Sequence, residues 1–202
     1  MRRILVIIFI LQTGCPFLRA QPKDTLIDPA HFNYRLMEYM IKSRIDSFRK
    51  TKKLGTLAND SMLYKAALDQ ALYLQKREDI SHTQPGRRKK DPMARAVFYG
   101  ASYQMIGENV ARIFYLVNMT NPRLRGRTVF ISTYSEAANE FVEGWLHSPH
   151  HYKNIVTSGY DVTGLAVSLN PKEKSITAVQ VFGRSPTYHP PDRSRVYFPY
   201  GE

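Results

Sequence analysis

An α+β domain is what this sequence predicts, with helices early in the chain and an antiparallel strand pair late in it. Three observations lead there. Apolar residues recur at helical spacing from Phe32 to Phe48 and again from Leu63 to Leu74. A helix-capping box stands at residues 133–136. Two alternating apolar runs, at 165–169 and 176–182, are joined by a short polar turn. That order argues against a doubly wound parallel sheet, in which strand and helix alternate throughout.

The elements follow in turn. Asp28-Pro29 sets a capping residue before a proline at the first helical position, and Phe32, Leu36, Met40, Ile45 and Phe48 then predict a first amphipathic helix. Lysines and Gly55 end it, and Asn59-Asp60 caps a second helix whose buried face carries Leu63, Ala67, Ala71 and Leu74. The alanines there predict close packing. Residues 85–90 include Arg87, Arg88, Lys89 and Lys90, four adjacent cations whose mutual repulsion predicts an extended, solvated loop. Asp91-Pro92 restarts a short helix that ends by Gly100. The β-prone segments 112–117 and 128–131 flank a turn-rich stretch containing Arg123, Arg125 and Arg127, which predicts a projecting hairpin.

In the capping box, the Thr133 hydroxyl and the Glu136 carboxylate satisfy each other's backbone donors, and Ala137, Phe141 and Trp145 form the buried stripe of a fourth helix that stops before Pro149. Leu165, Val167 and Leu169, then Ile176, Ala178, Gln180 and Phe182, make the antiparallel hairpin across 170–174. From residue 185 to 202, Pro186, Pro190, Pro191 and Pro199 each remove a backbone donor, so an extended tail is expected.

Residues 1–20 read as a secretory leader: Met1-Arg2-Arg3 is a basic start and residues 4–11 an unbroken apolar run too short to anchor a helix in a bilayer. Cleavage is expected after Ala20, giving an exported protein, periplasmic or extracellular. The alternative is a lipoprotein anchored through Cys15, although Gln12 is a poor residue for a lipidation box. Losing the leader strips three of the 29 basic residues and none of the 17 acidic ones, so the basic surplus belongs to the domain. Cys15 is the only cysteine, and 43% hydrophobic residues suffice for a core without disulfides. An exported chain without disulfides fits a bacterial source. A basic exported protein is suited to anionic partners, a lipid surface or an envelope polymer. No specific nucleic-acid partner is expected, because the basic runs show no aromatic platform beside them. A monomer is expected.

Several segments, taken in order, resemble one family. Residues 57–63 with Ala67 look like the opening of its second helix, and Ser81-His82 like the histidine that closes it. Asp91-Pro92 with Arg95 and Gly100 leads to Gly107-Glu108-Asn109, and residues 145–155 resemble a Trp-x-x-Ser-Pro-Gly-His-Arg-x-Asn-Ile block, with His151 as its histidine. Residues 164–167 and 179–183 resemble the closing strand pair. Together these resemble the CAP superfamily of cysteine-rich secretory, antigen 5 and pathogenesis-related-1 proteins (the SCP domain), especially its short bacterial branch. The similarity covers residues 32–184, within a domain expected to span 28–184. His150 and Tyr152 depart from the block, and Ser148 stands where other branches carry a second cleft glutamate.

The resemblance implies a three-layer α-β-α sandwich, a small antiparallel sheet flanked by helices. It also implies a groove holding His82, Glu108 and His151, with Ser148 beside them. Two imidazoles and a carboxylate are the ligand count of a catalytic zinc site, so His82 and His151 are candidate metal ligands and zinc the candidate cofactor. The competing reading is that these groups hydrogen-bond one another and fasten the fold. His147, His150, Glu140 and Glu143 are weaker candidates. Neither a Gly-x-Ser-x-Gly elbow nor a His-Glu-x-x-His helix occurs. A binding module for a lipid, a sterol-like ligand or an anionic polymer is therefore the first expectation. A metal-assisted, peptidase-like hydrolase is the second.

Overall fold

The alternating runs near the end of the chain pair as β5 (Val162–Asn170) and β6 (Ser175–Arg184), the centre of a four-stranded sheet. The computed structural model describes residues 25–121 and 127–186. The leader with Cys15, Arg123, Arg125 and the tail beyond Pro186 lie outside them. On one side of β6 runs β2 (Met105–Phe114), antiparallel, and on the far side of β5 lies β1 (Ala58–Asn59). That last pairing is parallel, so the sheet is mixed, not wholly antiparallel as expected. The parallel strand covers only Val162 and Thr163, because Asp60 at once turns the chain into a helix.

Side chains alternate across a strand, and this divides the core in two. Leu165, Val167 and Leu169 of β5, with Ile176, Ala178 and Phe182 of β6, face α1 (Tyr34–Thr51), α4 (Tyr134–Leu146) and α5 (Pro149–Val156). Ala166, Val179 and Val181 face the other way, toward α2 (Ser61–Leu74) and α3 (Pro92–Phe98). The three layers expected from the family resemblance are therefore present.

Local signals account for most boundaries. Asp60 accepts from the backbone of Met62 and Leu63, Asp91 from Ala94, and Thr133 and Glu136 form the full capping box. The first helix departs from expectation. Asp28 caps only a single 3-10 turn, Pro29–His31, and the helix starts after Asn33, whose side chain accepts from Leu36 N–H. Its buried stripe is Met37, Ile41, Ile45 and Arg49, while Leu36, Met40 and Phe48 pack at the margin. A projecting hairpin exists, but its strands are β3 (Asn118–Asn121) and β4 (Arg127–Phe130). Residues 112–114 instead end β2, whose ten-residue pairing with β6 outweighs any local turn preference.

The second layer sits unusually close to the sheet at Gly164. A β-carbon there would run into the backbone of Leu63 and Tyr64, so a glycine lets the first turn of α2 rest directly on β5. Gly164→Ala should destabilise the protein by about 3 kcal/mol in chemical denaturation, the cost of forcing apart packed backbone. Gly55→Ala, with open space around it, should be neutral. Glu136 supplies a pH test. The backbone N–H of Ser132 chiefly holds its carboxyl below the usual range, and the Thr133 N–H with the Ser132 and Thr133 hydroxyls helps to outweigh the opposing effect of burial. Its stabilisation is thus complete above the unfolded-state pKa and lost as pH falls through the lower folded value. Glu136→Gln should lower Tm at pH 7, and the gap to wild type should close in acid.

Candidate functional site

The chain leaving α2 is held down from below before it reaches His82. Gln70, fully buried on α2, donates from Nε2 to Ser81 O at 2.6 Å and accepts from Gln84 at 2.9 Å. His82 is thereby brought over β2, where Glu108 projects to the α2/α3 side of the sheet. His82 Nδ1 lies 2.8 Å from Glu108 Oε1. The other carboxylate oxygen, Oε2, accepts from Arg95 Nη2 at 2.6 Å. Arg95 and Glu108 are sealed from water, with side chains 0% and 1% exposed, whereas His82 is half exposed. Arg95 Nη1 also donates to His82 O at 3.1 Å and Lys89 O at 3.3 Å. One guanidinium thus fixes both the histidine and the basic loop that follows it.

The next residue along β2 faces the opposite way. Asn109 Nδ2 donates to His151 O at 3.2 Å, and Asn154 Nδ2 donates to Asn109 Oδ1 at 2.8 Å and Glu108 O at 3.1 Å. These bonds tie α5 to the strand. Gly107 is needed for the same approach, since a β-carbon there would meet the Tyr160 hydroxyl at 2.5 Å and Asn154 Oδ1 at 2.9 Å. The Gly-Glu-Asn motif therefore has three jobs: room for α5, an acid toward His82, and an amide toward His151.

His82 and Glu108 are directly joined, and His151 is linked to this strand through its backbone oxygen. Ser148 precedes α5 as its N-cap residue but makes no side-chain capping bond. His147 Nδ1 lies 2.8 Å from Glu143 O at the surface, and Glu140 is buried on α4. Among the described residues no three His, Cys, Asp or Glu side chains stand close enough together to hold a metal ion. Both Glu108 oxygens already have partners, and one is a buried guanidinium. The donor set as placed does not fit zinc.

The basic loop has the aromatic neighbours that the sequence had not revealed. Lys89 Nζ sits 4.4 Å from the Phe98 ring centroid and 3.2 Å from both Asp69 Oδ1 and the Tyr99 hydroxyl, while the Arg88 guanidinium lies 5.6 Å from the Phe98 centroid. Phe98 is 42% exposed, and Met93 and Val97 on the same helix are exposed as well. Short α3 turns its backbone so that Arg95 and Ala96 point inward and these three apolar side chains point out. Arg88 stands at the surface beside Phe98, and Arg87 and Lys90 on the same loop are exposed as well.

Arg95 was legible as part of a motif but not as a site residue, because an arginine by itself reads as surface charge. Removing its charge should strand a buried carboxylate. Arg95→Met is expected to cost about 4 kcal/mol in denaturant unfolding, whereas Arg95→Met combined with Glu108→Leu should recover most of the loss. His82→Ala, which leaves the guanidinium in place and removes a half-exposed ring, should cost no more than about 1 kcal/mol.

Comparison with known proteins gives a consistent result. The model of the cysteine-rich secretory protein family, CAP, matches residues 42–182. Among solved structures, an outer surface protein from Borrelia burgdorferi aligns with a TM-score of 0.58 at 23% identity, covering 80% of this chain and 98% of its own. An extracellular SCP-domain protein from Bacillus anthracis gives 0.55 at 20% identity, covering 75% of this chain and 41% of its own. A cysteine-rich secretory protein from Staphylococcus aureus gives 0.52 at 14% identity, covering 76% and 40%. A comparison with curated proteins finds no match.

Proposed function

Because the chain belongs to the cysteine-rich secretory protein (CAP) family, we propose that it is an exported bacterial binding module that docks on anionic lipid surfaces through the 85–90 loop and the outer face of α3. The observation that carries this reading is the placement of exposed Phe98 against Arg88 and Lys89, with Met93 and Val97 exposed on the same helix and Arg87 and Lys90 exposed on the same loop. Apolar side chains enter the headgroup boundary while neighbouring cations meet its negative charge, the pairing that interfacial binding requires. A soluble polymer would use the cations alone. Export is supported by the leader at residues 1–20 and by the outer-surface and extracellular descriptions of the Borrelia and Bacillus proteins. No helix among the described residues is long and apolar enough to cross a membrane, so the contact is peripheral unless Cys15 is lipidated.

Binding is favoured over hydrolysis by the state of Glu108. Its two oxygens are held by Arg95 and His82, so taking a proton from a substrate water would break a desolvated ion pair. In this reading His82, Glu108 and Arg95 hold the docking face in shape.

Cosedimentation with phosphatidylcholine vesicles, with and without phosphatidylglycerol, tests the proposal. Binding should require the anionic lipid and weaken as salt rises. Neutralising Arg87, Arg88 and Lys90 should remove roughly 1 kcal/mol per cation, and Phe98→Ser should lower affinity without changing the salt dependence. Unchanged vesicle binding by Phe98→Ser would point to a soluble polyanion instead.

A further inference from the structure

A second surface lies at the other edge of the sheet. Because β1 covers only two residues of β5, the stretch from Gly164 to Asn170 has no strand beside it and is buried instead between α1 and α2. Asp60 N–H donates to Thr163 O and Val167 N–H points to Glu38, so the odd-numbered residues turn their backbone groups outward, with Leu165 between them. Two adjoining hollows of about 500 and 250 Å³ run along this edge, and Glu38 and Tyr64 line both. Tyr39 and Tyr34 on α1 and Leu72 on α2 are exposed along the rim.

Glu38 sits at the middle of this groove with its side chain only 9% exposed, yet it is poorly held. The Tyr64 hydroxyl reaches it at 3.3 Å and Val167 N–H at 3.4 Å, both long for bonds to a carboxylate. Burial pushes its carboxyl above the usual range, with the Val167 bond, Arg35 and Tyr64 only partly offsetting this. Other charged groups on the groove are already engaged. Lys42 pairs with Asp46 at 2.6 Å, and Asp60 caps α2 and accepts from the Tyr103 hydroxyl. The nearest cation is Arg35, 80% exposed, at 3.7 Å from Glu38 Oε2 and with its guanidinium 5.1 Å from the Tyr64 ring centroid. A loosely tethered guanidinium from the chain itself thus lies over an aromatic face and against a buried acid.

We infer that this groove binds a peptide bearing arginine, whose guanidinium takes the place of Arg35 between Glu38 and the Tyr64 ring while the rest of the peptide lies along the hollows between α1 and α2. Three features converge on that occupant. The acid lacks a strong counter-charge, which selects a cation. The tyrosine face favours a guanidinium, which both stacks and donates in a fork. The hollows of about 500 and 250 Å³ on either side of Glu38 give the side chain and its neighbours room to enter.

The test uses fluorescence anisotropy with a labelled, end-blocked peptide, Val-Thr-Val-Arg-Val-Thr, and the same peptide with glutamine in place of arginine. The arginine peptide should bind at least tenfold more tightly. Glu38→Gln should abolish that preference while keeping or raising Tm, which a purely structural carboxylate would not do. Arg35→Ala should tighten binding several-fold by removing the internal competitor. Equal affinity for the two peptides, or an undiminished preference in Glu38→Gln, would overturn the inference.

Discussion

A guanidinium cut off from water must find its hydrogen bonds inside the protein, and Arg95 finds most of them on two pieces of chain, β2 and the loop between α2 and α3. It meets the Glu108 carboxylate on β2 and the backbone oxygens of His82 and Lys89, which follow α2. Those pieces carry no regular ladder between them. The ion pair substitutes for one, because any rearrangement of the loop would leave charge buried without a partner. The position of His82, the path of residues 83–91 and the seating of α3 against the sheet all follow from it. Gln70 completes the arrangement from α2 by holding Ser81 and Gln84.

Periodicity and capping chemistry made the helices and the central hairpin readable. Leu165, Val167 and Leu169 fall in one core cluster with Ile176, Ala178 and Phe182, as strict alternation requires, and the Thr133–Glu136 box starts α4 where its side chains dictate. What stayed hidden depends on contacts distant in sequence. Residues 105–111 become a strand because β6 is there to pair with them, and Gly107-Glu108-Asn109 gives little local sign of it. The family resemblance supplied His82, Glu108 and His151. It did not indicate that the strand would send Glu108 and Asn109 to opposite sides. Arginine was the residue most easily misread. Arg49 continues the four-residue spacing of Met37, Ile41 and Ile45, and is buried because its donors reach the backbone oxygens of Gly55, Ile155, Thr157 and Tyr160. That spacing was a usable signal; for Arg95 the sequence offered only its place in a motif. The exposure of Phe98 was hidden for a different reason, since an aromatic residue on a seven-residue helix has too few neighbours to reveal which face it joins.

The strand order β1-β5-β6-β2 sets the two surfaces apart. The basic loop and α3 adjoin β2, and the Glu38 groove opens beyond β5. They also work over different ranges. The cations of the loop act through a field that extends into solvent and is screened by salt, whereas Glu38 acts only on a group that has already entered the groove. With the β2 side resting on a membrane, the groove would look away from it, open to whatever lies in the surrounding medium.

A strand edge with no strand beside it also invites a second copy of the same chain to pair with it, the first step toward fibres or a continuous intermolecular sheet. Here the β5 edge carries its own deterrent. Gln75 donates to Leu169 O at one end, and Glu38 occupies the Val167 N–H in the middle. Two such edges brought together would bury two carboxylates near each other with no cation to share, a juxtaposition that opposes pairing. The same acid that suits the groove to a cation thereby disfavours pairing of this edge with a second copy.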